Sequence, residues 1–277
     1  MTFEPEQLGQ SRTDLAERLR ELRKAAGLTG DRLAKRCNMS QSQISKFETG
    51  KRTPSLVDVE RILRAIGAQP ELISEVTALA RIANTQWQDK RSSRRRGLEK
   101  RQTELAALEA EATTLRYFLP AMVTGLLATP EYVRASLSGF PGDISKTMAR
   151  KLERQSVLYD TSKSFTFLLT EQAVNWAIVP PSAMAVQIDR LISLARLPNV
   201  RIGVIAPGAL IPHGPMNTFT VYDDRLATVE NFTGRMVFRD SRDIAEHLEV
   251  FRLFEAHALF QDAARQQLYE WAELHRG

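Results

Sequence analysis

The chain of 277 residues has one cysteine, four histidines and only 7% aromatic residues. A single cysteine, Cys37, excludes an intrachain disulfide and fits a reducing compartment. The residue itself reads as a small buried apolar side chain. His213, His247, His257 and His275 fall at no metal-ligating spacing, and the Gly-x-Ser-x-Gly, P-loop and dinucleotide fingerprints are all missing. Neither a metal nor an organic cofactor is expected, and catalysis is not expected either. Long apolar runs are also lacking. The longest uncharged stretch, Ile202 to Tyr222, contains three prolines, three glycines, Asn217, Thr218 and Thr220, which rules it out as a membrane helix. The opening Met-Thr-Phe-Glu-Pro-Glu places acidic residues where a signal peptide needs basic ones. The expected location is cytoplasmic, with no membrane attachment.

Hydrophobic content of 43% and charged content of 26% describe an ordinary soluble chain long enough for two domains. The net charge of +5 is unevenly spread. Residues 1–100 carry 20 Lys and Arg against 13 Asp and Glu, a net +7, which leaves 18 against 20, or −2, for residues 101–277. An anionic partner belongs to the first part.

Most informative is the stretch from Ser40 to Pro54. Ser40 and Gln43 have the spacing of a capping box, so a helix should begin at Gln41. Ile44 and Phe47 form its narrow apolar stripe, and Gln41, Ser42, Ser45 and Lys46 face the other way. Gly50 suits a left-handed helix end, and Lys51, Arg52 and Pro54 follow as a basic exit that cannot continue the helix. Amides and an ammonium flanked by cations suit base edges flanked by phosphates.

Around this stretch the spacing predicts four more short helices. Thr13 and Asp14 can cap a first helix carrying Leu15, Leu19 and Leu22, ending at Gly27. Thr29 can cap a second, with Leu33, Ala34 and Cys37 inward. Ser55 can cap a fourth, carrying Leu56, Val59, Ile62, Leu63 and Ile66, and a fifth runs from about Pro70 to Asn84. Two short helices joined by a tight turn, the second with a polar outer face, form a helix-turn-helix. Leu19-Arg-Glu-Leu-Arg-Lys-Ala-Ala-Gly-Leu-Thr29, Leu33-Ala34 and the Ser-Gln-Ile-Ser-Lys-Phe-Glu-Thr-Gly-Lys-Arg-Thr-Pro-Ser segment resemble the lambda-repressor-like, xenobiotic-response-element class of DNA-binding domains. The resemblance implies base reading by Gln41, Ser42 and Lys46. It also implies phosphate contacts by Gln43, Lys51 and Arg52, and an internal ion pair between Arg23 and Glu48. Gly30 stands where many members carry a phosphate-touching Gln, which leaves the backbone N–H at that helix start to bind phosphate.

Residues 90–101 hold seven Lys and Arg against Glu99 alone. The run, with Arg94-Arg-Arg96 at its centre, reads either as a minor-groove or phosphate arm or as a solvated linker, the preferred reading. Beyond it Leu105, Leu108, Ala112 and Leu115 mark a helix opening a second domain. Helices are then expected from Thr129-Pro130, over Ile144 to Tyr159, Met184 to Leu197, Ser241 to Ala258 and Asp262 to His275. Strands are expected over Ser164 to Thr170, Val200 to Ala206, Thr218 to Tyr222 and Ala227 to Phe232, with an edge at Met236 to Arg239. Trp176 and Phe219 read as core. The expected fold is α+β: an all-α five-helix helix-turn-helix domain, then helices around a small β-sheet. The expected divisions are a tail at 1–12, the DNA-binding domain at 13–84, a basic linker at 85–102 and a regulatory domain at 103–277.

Four segments of the second domain run colinear with another family. Val123-Thr-Gly-Leu-Leu-Ala-Thr-Pro-Glu-Tyr-Val-Arg-Ala135, Leu168-Leu-Thr-Glu-Gln-Ala173, Leu197-Pro-Asn-Val-Arg-Ile202 and Thr228-Val-Glu-Asn-Phe232 resemble the antitoxin-like regulatory domain found behind helix-turn-helix modules in actinomycetes. The family's usual Gly-Leu-Leu-Gln-Thr is Gly-Leu-Leu-Ala-Thr here. This resemblance implies control by a small acidic partner protein. Independently, His213 lies in a Pro/Gly-rich loop that strand pairing would bring near Glu171 and Glu230, a candidate ligand site for a small-molecule sensor. A nuclease targeted by the DNA module lacks a carboxylate and metal signature. The chain therefore reads as a homodimeric, nucleoid-associated transcription regulator of double-stranded DNA.

Overall fold

The computed structural model describes residues 7–89, 98–140, 142–206, 208 and 210–277. Two compact units result: Met1–Trp87 with Met236–Asp243, and Gln88–Arg235 with Ile244–Gly277.

The first unit contains α1 (Gln7–Ala25), α2 (Gly30–Cys37), α3 (Gln41–Glu48), α4 (Leu56–Ala65) and α5 (Pro70–Asn84). Their apolar stripes converge on one core that includes Leu15, Leu19, Leu33, Cys37, Ile44, Phe47, Val59, Leu63 and Val76. Burial raises the Cys37 thiol pKa above its ordinary value, so the group stays protonated and packs as an apolar side chain. One boundary differs from expectation: α1 starts at Gln7, so Thr13 and Asp14 are exposed helical residues and not its cap. The additional turn is tied down where Arg12 Nε donates to the Ala83 carbonyl at 3.3 Å.

The unit also takes residues from far along the chain. The Asp240 side chain, on a residue 1% exposed, accepts the Leu56 N–H at 3.3 Å, and the Arg242 guanidinium reaches Glu60 at 2.5 Å. Leu56 is the first residue of α4, so Asp240 satisfies one of the donors every helix start leaves open.

After β1 (Thr85–Asp89), the second unit runs through α6 (Leu98–Glu111), β2 (Thr114–Leu119), α7 (Pro130–Ser136), α8 (Ser145–Glu153) and a 3-10 turn (Arg154–Tyr159). Next come β3 (Ser164–Thr170), α9 (Glu171–Asn175), α10 (Pro181–Leu194), β4 (Val200–Ile205), β5 (Thr218–Tyr222) and β6 (Leu226–Glu230). The chain finishes with β7 (Gly234–Phe238), α11 (Ser241–Glu255) and α12 (Gln261–Arg276). The sheet is mixed, in the order β7-β6-β5-β2-β3-β4: β2, β3 and β4 pair in parallel, and β5 pairs antiparallel with both β2 and β6. The fold is thus α+β. β3, flanked by β2 and β4, is buried from Phe165 to Leu169, as a strand covered on both faces must be. On one face Tyr117 stacks on Phe167 at 4.8 Å; on the other Phe118 stacks on Phe254 of α11 at 4.3 Å.

Several expected elements shift. The helix expected through Leu115 ends at Glu111, and Leu115 lies on β2. Asp223 explains the break, because its carboxylate accepts the N–H groups of Thr113 and Thr114 at 3.0 and 2.8 Å and keeps them out of the helical ladder. The helix expected from Ile144 to Tyr159 changes to 3-10 at Arg154, whose guanidinium forks onto Glu109 and also reaches Gln102. The helix expected at Met184 to Leu197 starts three residues earlier, at Pro181, which suits the first helical position. Ala227 to Phe232 ends as a strand at Glu230. There the Asn231 side chain accepts the N–H groups of Thr233 and Gly234, and Phe232 is left 93% exposed in the turn. Phe219 is core, but Trp176 is 62% exposed because it follows the short α9 out of the packed layer. The region expected to be linker contains β1 and the start of α6, and the Arg94 cluster lies outside the described residues.

Candidate nucleic-acid interface

Both halves of the helix-turn-helix are fixed at their starts by side-chain caps. Thr29 Oγ1 accepts the Arg32 N–H at 3.3 Å, leaving the Gly30 and Asp31 N–H groups without intrahelical carbonyls. The α3 capping box is complete: the Gln43 N–H donates to Ser40 Oγ at 3.1 Å, and the Ser40 N–H donates to Gln43 Oε1 at 3.0 Å. Gln43 thus holds α3 through its carbonyl oxygen and keeps its amide nitrogen for an acceptor outside. Gly30 and Gln41 are neighbours, since a Cβ on Gly30 would lie 3.8 Å from Gln41 Nε2. The backbone donors of α2 therefore adjoin the first side chain of α3.

Ile44 and Phe47 are buried at 2% and 1% exposure, which turns Gln41, Ser42, Ser45 and Lys46 to solvent. Gly50 ends the helix at φ +67°, where a side chain would be strained, and the Arg52 N–H returns to the Lys46 carbonyl at 3.1 Å. The Arg52 guanidinium then sits 5.8 Å over the Phe47 ring, and Lys51 beside it is exposed. The result is one polar face with a cationic rim. Behind it Arg23 donates to both Glu48 oxygens, at 2.6 and 2.8 Å, and to the Leu28 carbonyl at 2.8 Å. The pairing raises the Arg23 pKa, with the hydrogen bond to Glu48 as the largest cause. This pair locks the C-terminal end of α3 to the turn before α2. Sequence reasoning missed Asp240 and Arg242, because nothing in their local spacing points to α4.

In the second unit, strand registers place Glu171, His213 and Glu230 towards the same end of the sheet. They remain apart. Glu171 accepts from Asn175 at 3.2 Å, Glu230 pairs with Arg101 at 2.9 Å, and no hydrogen bond among the described residues joins the three. Three strand spacings, about 14 Å, separate β3 from β6. No group of residues able to hold a metal ion occurs among the described residues, and no described helix is long and apolar enough to cross a membrane.

Two family descriptions match the chain. A helix-turn-helix domain matches residues 14–76, and a domain of unknown function, DUF5753, matches residues 102–270. Over 51 residues the chain is 41% identical to an uncharacterised HTH-type transcriptional regulator of Methanothermobacter thermautotrophicus, covering 18% of this chain and 74% of the relative. Among solved structures, NucT from Helicobacter pylori aligns with a TM-score of 0.40 at 9% identity, over 63% of this chain and 97% of that one. The phospholipase D family member Nuc from Salmonella typhimurium gives 0.36 at 7%, over 58% and 90%. The archaeal chromatin protein TrmBL2 gives 0.33 at 12%, over 78% and 68%. These three likenesses are too distant to carry an argument. The capped α2–α3 pair, its polar face and the two family matches agree: this is a helix-turn-helix DNA-binding transcription regulator, and the chain belongs to the DUF5753 family.

Proposed function

We propose that α3 enters the major groove with Gln41, Ser42 and Lys46 towards base edges, while the Gly30 N–H, Gln43, Lys51 and Arg52 hold the flanking phosphates. The observation that carries this reading is the division of α3: Ile44 and Phe47 are pinned inside, and a continuous amide, hydroxyl and ammonium face is left outside. One such module covers half a site, so the working species is a homodimer on paired half-sites about 34 to 36 Å apart or a multiple of that. The test is selection of an operator from random duplexes with the full chain, then affinity for operator and scrambled DNA at one salt concentration. Lys46→Ala should reduce the ratio of the two affinities by roughly tenfold. A Lys46→Ala protein that retains the wild-type ratio would overturn the assignment.

The second unit is proposed to be held by a small acidic partner protein. Its resemblance to antitoxin-like regulatory domains supports this, as do the exposed side chains of Trp176, Leu210, Met216 and Phe232, which follow strands at one end of the sheet. Operator affinity measured with and without a stoichiometric co-purifying acidic protein tests it, and no change of affinity would count against it. The alternative, small-molecule control, is favoured by clefts in the same unit.

A further inference from the structure

Arg201, Thr166, Arg116 and Val221 form one row across β4, β3, β2 and β5, on the sheet face that α11 covers. The two arginines of this row differ. Arg201 is paired with Glu255 at 3.0 Å and lies 4.5 Å over the Phe260 ring. Arg116 is partly buried and takes part in no ion pair among the described residues, and the same holds for Arg252, exposed one turn before Glu255 on α11. Both line a cleft of about 460 Å³ whose other walls are Thr113, Thr114, Leu248 and the turn from Asp223 to Arg225.

The turn is built to stay in place. Asp223 takes φ +53° and accepts the N–H groups of Thr113 and Thr114 and the Thr113 hydroxyl, the last at 2.9 Å. Arg225 donates to Asp223 Oδ2 at 2.9 Å and to the Glu111 carbonyl at 3.2 Å. These donors hold the Asp223 carboxyl below its ordinary pKa despite the opposing cost of desolvation, so it is ionised and already satisfied. It has little left to offer Arg116. Two guanidiniums therefore face a cleft whose only other carboxylate, on Asp224, is exposed and unpaired among the described residues.

We propose that this cleft is an anion-binding site for a small molecule carrying a phosphate or carboxylate group. Arg116 and Arg252 grip the oxyanion, Arg225 neutralises Asp223 at the rim, the Thr113 and Thr114 edge supplies polar contacts, and Leu248 covers an apolar part of the ligand. The volume lies in the range of small-molecule sites. The site belongs to the second unit alone and does not depend on how α3 meets DNA.

Calorimetric titration of the full chain with inorganic phosphate, and separately with acetate, each against sodium chloride at matched ionic strength, tests it. The expected result is saturable binding of at least one of the two, weakened roughly tenfold or more in Arg116→Gln/Arg252→Gln and unchanged in Lys51→Ala/Arg52→Ala. Arg252→Gln alone, on the exposed side of α11, should weaken binding in the same direction, which keeps the test open if Arg116→Gln disturbs β2. Preference for phosphate or for acetate identifies the head group. Binding of neither anion, binding undiminished in the Arg252→Gln protein, or binding lost in Lys51→Ala/Arg52→Ala would each overturn the proposal.

Discussion

Arg23 and Glu48 place opposite charges where little water reaches, with side chains 14% and 11% exposed. Neither is easily replaced alone. Arg23→Met should cost about 2 to 3 kcal/mol, somewhat below the loss for a wholly buried pair, because it strands Glu48 and leaves the Leu28 carbonyl without its donor. Urea unfolding should show a lower midpoint at unchanged slope, and the operator-to-random affinity ratio should not move. Lys151 behaves in the opposite way. Burial first, then Arg154 and Arg101, lowers its pKa from 10.5 to about 8. Between those values the unfolded chain binds a proton that the folded chain does not, so stability should rise as pH climbs from about 8 to about 10.5. In Lys151→Met that rise should flatten, and the protein should be more stable than wild type below pH 8. Thermal melts across the range would show it. The Arg23 pairing was legible because a family motif fixes both positions. Lys151 was not, since its shift comes first from burial, which its local spacing does not report, and in part from Arg101 on α6, far away in sequence.

Among the elements, those with local chemistry could be read directly. Ser40 with Gln43 and Ser55 with Asp58 form complete capping boxes, and Thr29 and Thr129 cap α2 and α7. Such signals need only four consecutive residues. By contrast, β2 is central to the sheet yet was read as the end of a helix, because Leu108, Ala112 and Leu115 keep a helical spacing. The break is imposed by Asp223, over a hundred residues later. Similarly, the expected Trp176 core position failed because an apolar side chain reports its own preference and not where a short helix ends. On β4, Gly203 is required by packing: a Cβ there would approach the Phe260 ring at 2.7 Å and Leu168 at 2.8 Å. Gly203→Ala should therefore destabilise the second unit by about 1 to 3 kcal/mol, measured as a shift of its unfolding transition. A neutral result would mean that Phe260 can move aside.

For the whole molecule, the uneven charge was visible in the sequence: residues 1–100 carry a net +7 and residues 101–277 a net −2. DNA affinity should fall steeply with salt, and Lys51→Ala/Arg52→Ala should reduce the slope of log affinity against log salt by about 2, at roughly 0.9 per phosphate contact. An unchanged slope would remove both residues from the phosphate contacts. The composition of the first unit could not be read in this way, because residues 236–243 carry no local mark of belonging with α4. Asp240→Ala should cost about 1 to 2 kcal/mol through the lost partner of the Leu56 N–H. Chemical denaturation of the full chain would measure it. The position of Asp240 also sets an order of events during synthesis. A ribosome exposes all of the helix-turn-helix early, but the carboxylate that completes the start of α4 emerges only after every strand of the second unit's sheet. A nascent or prematurely terminated chain thus carries α3 without the full support of its unit, whose complete stability arrives only once residue 240 has been made.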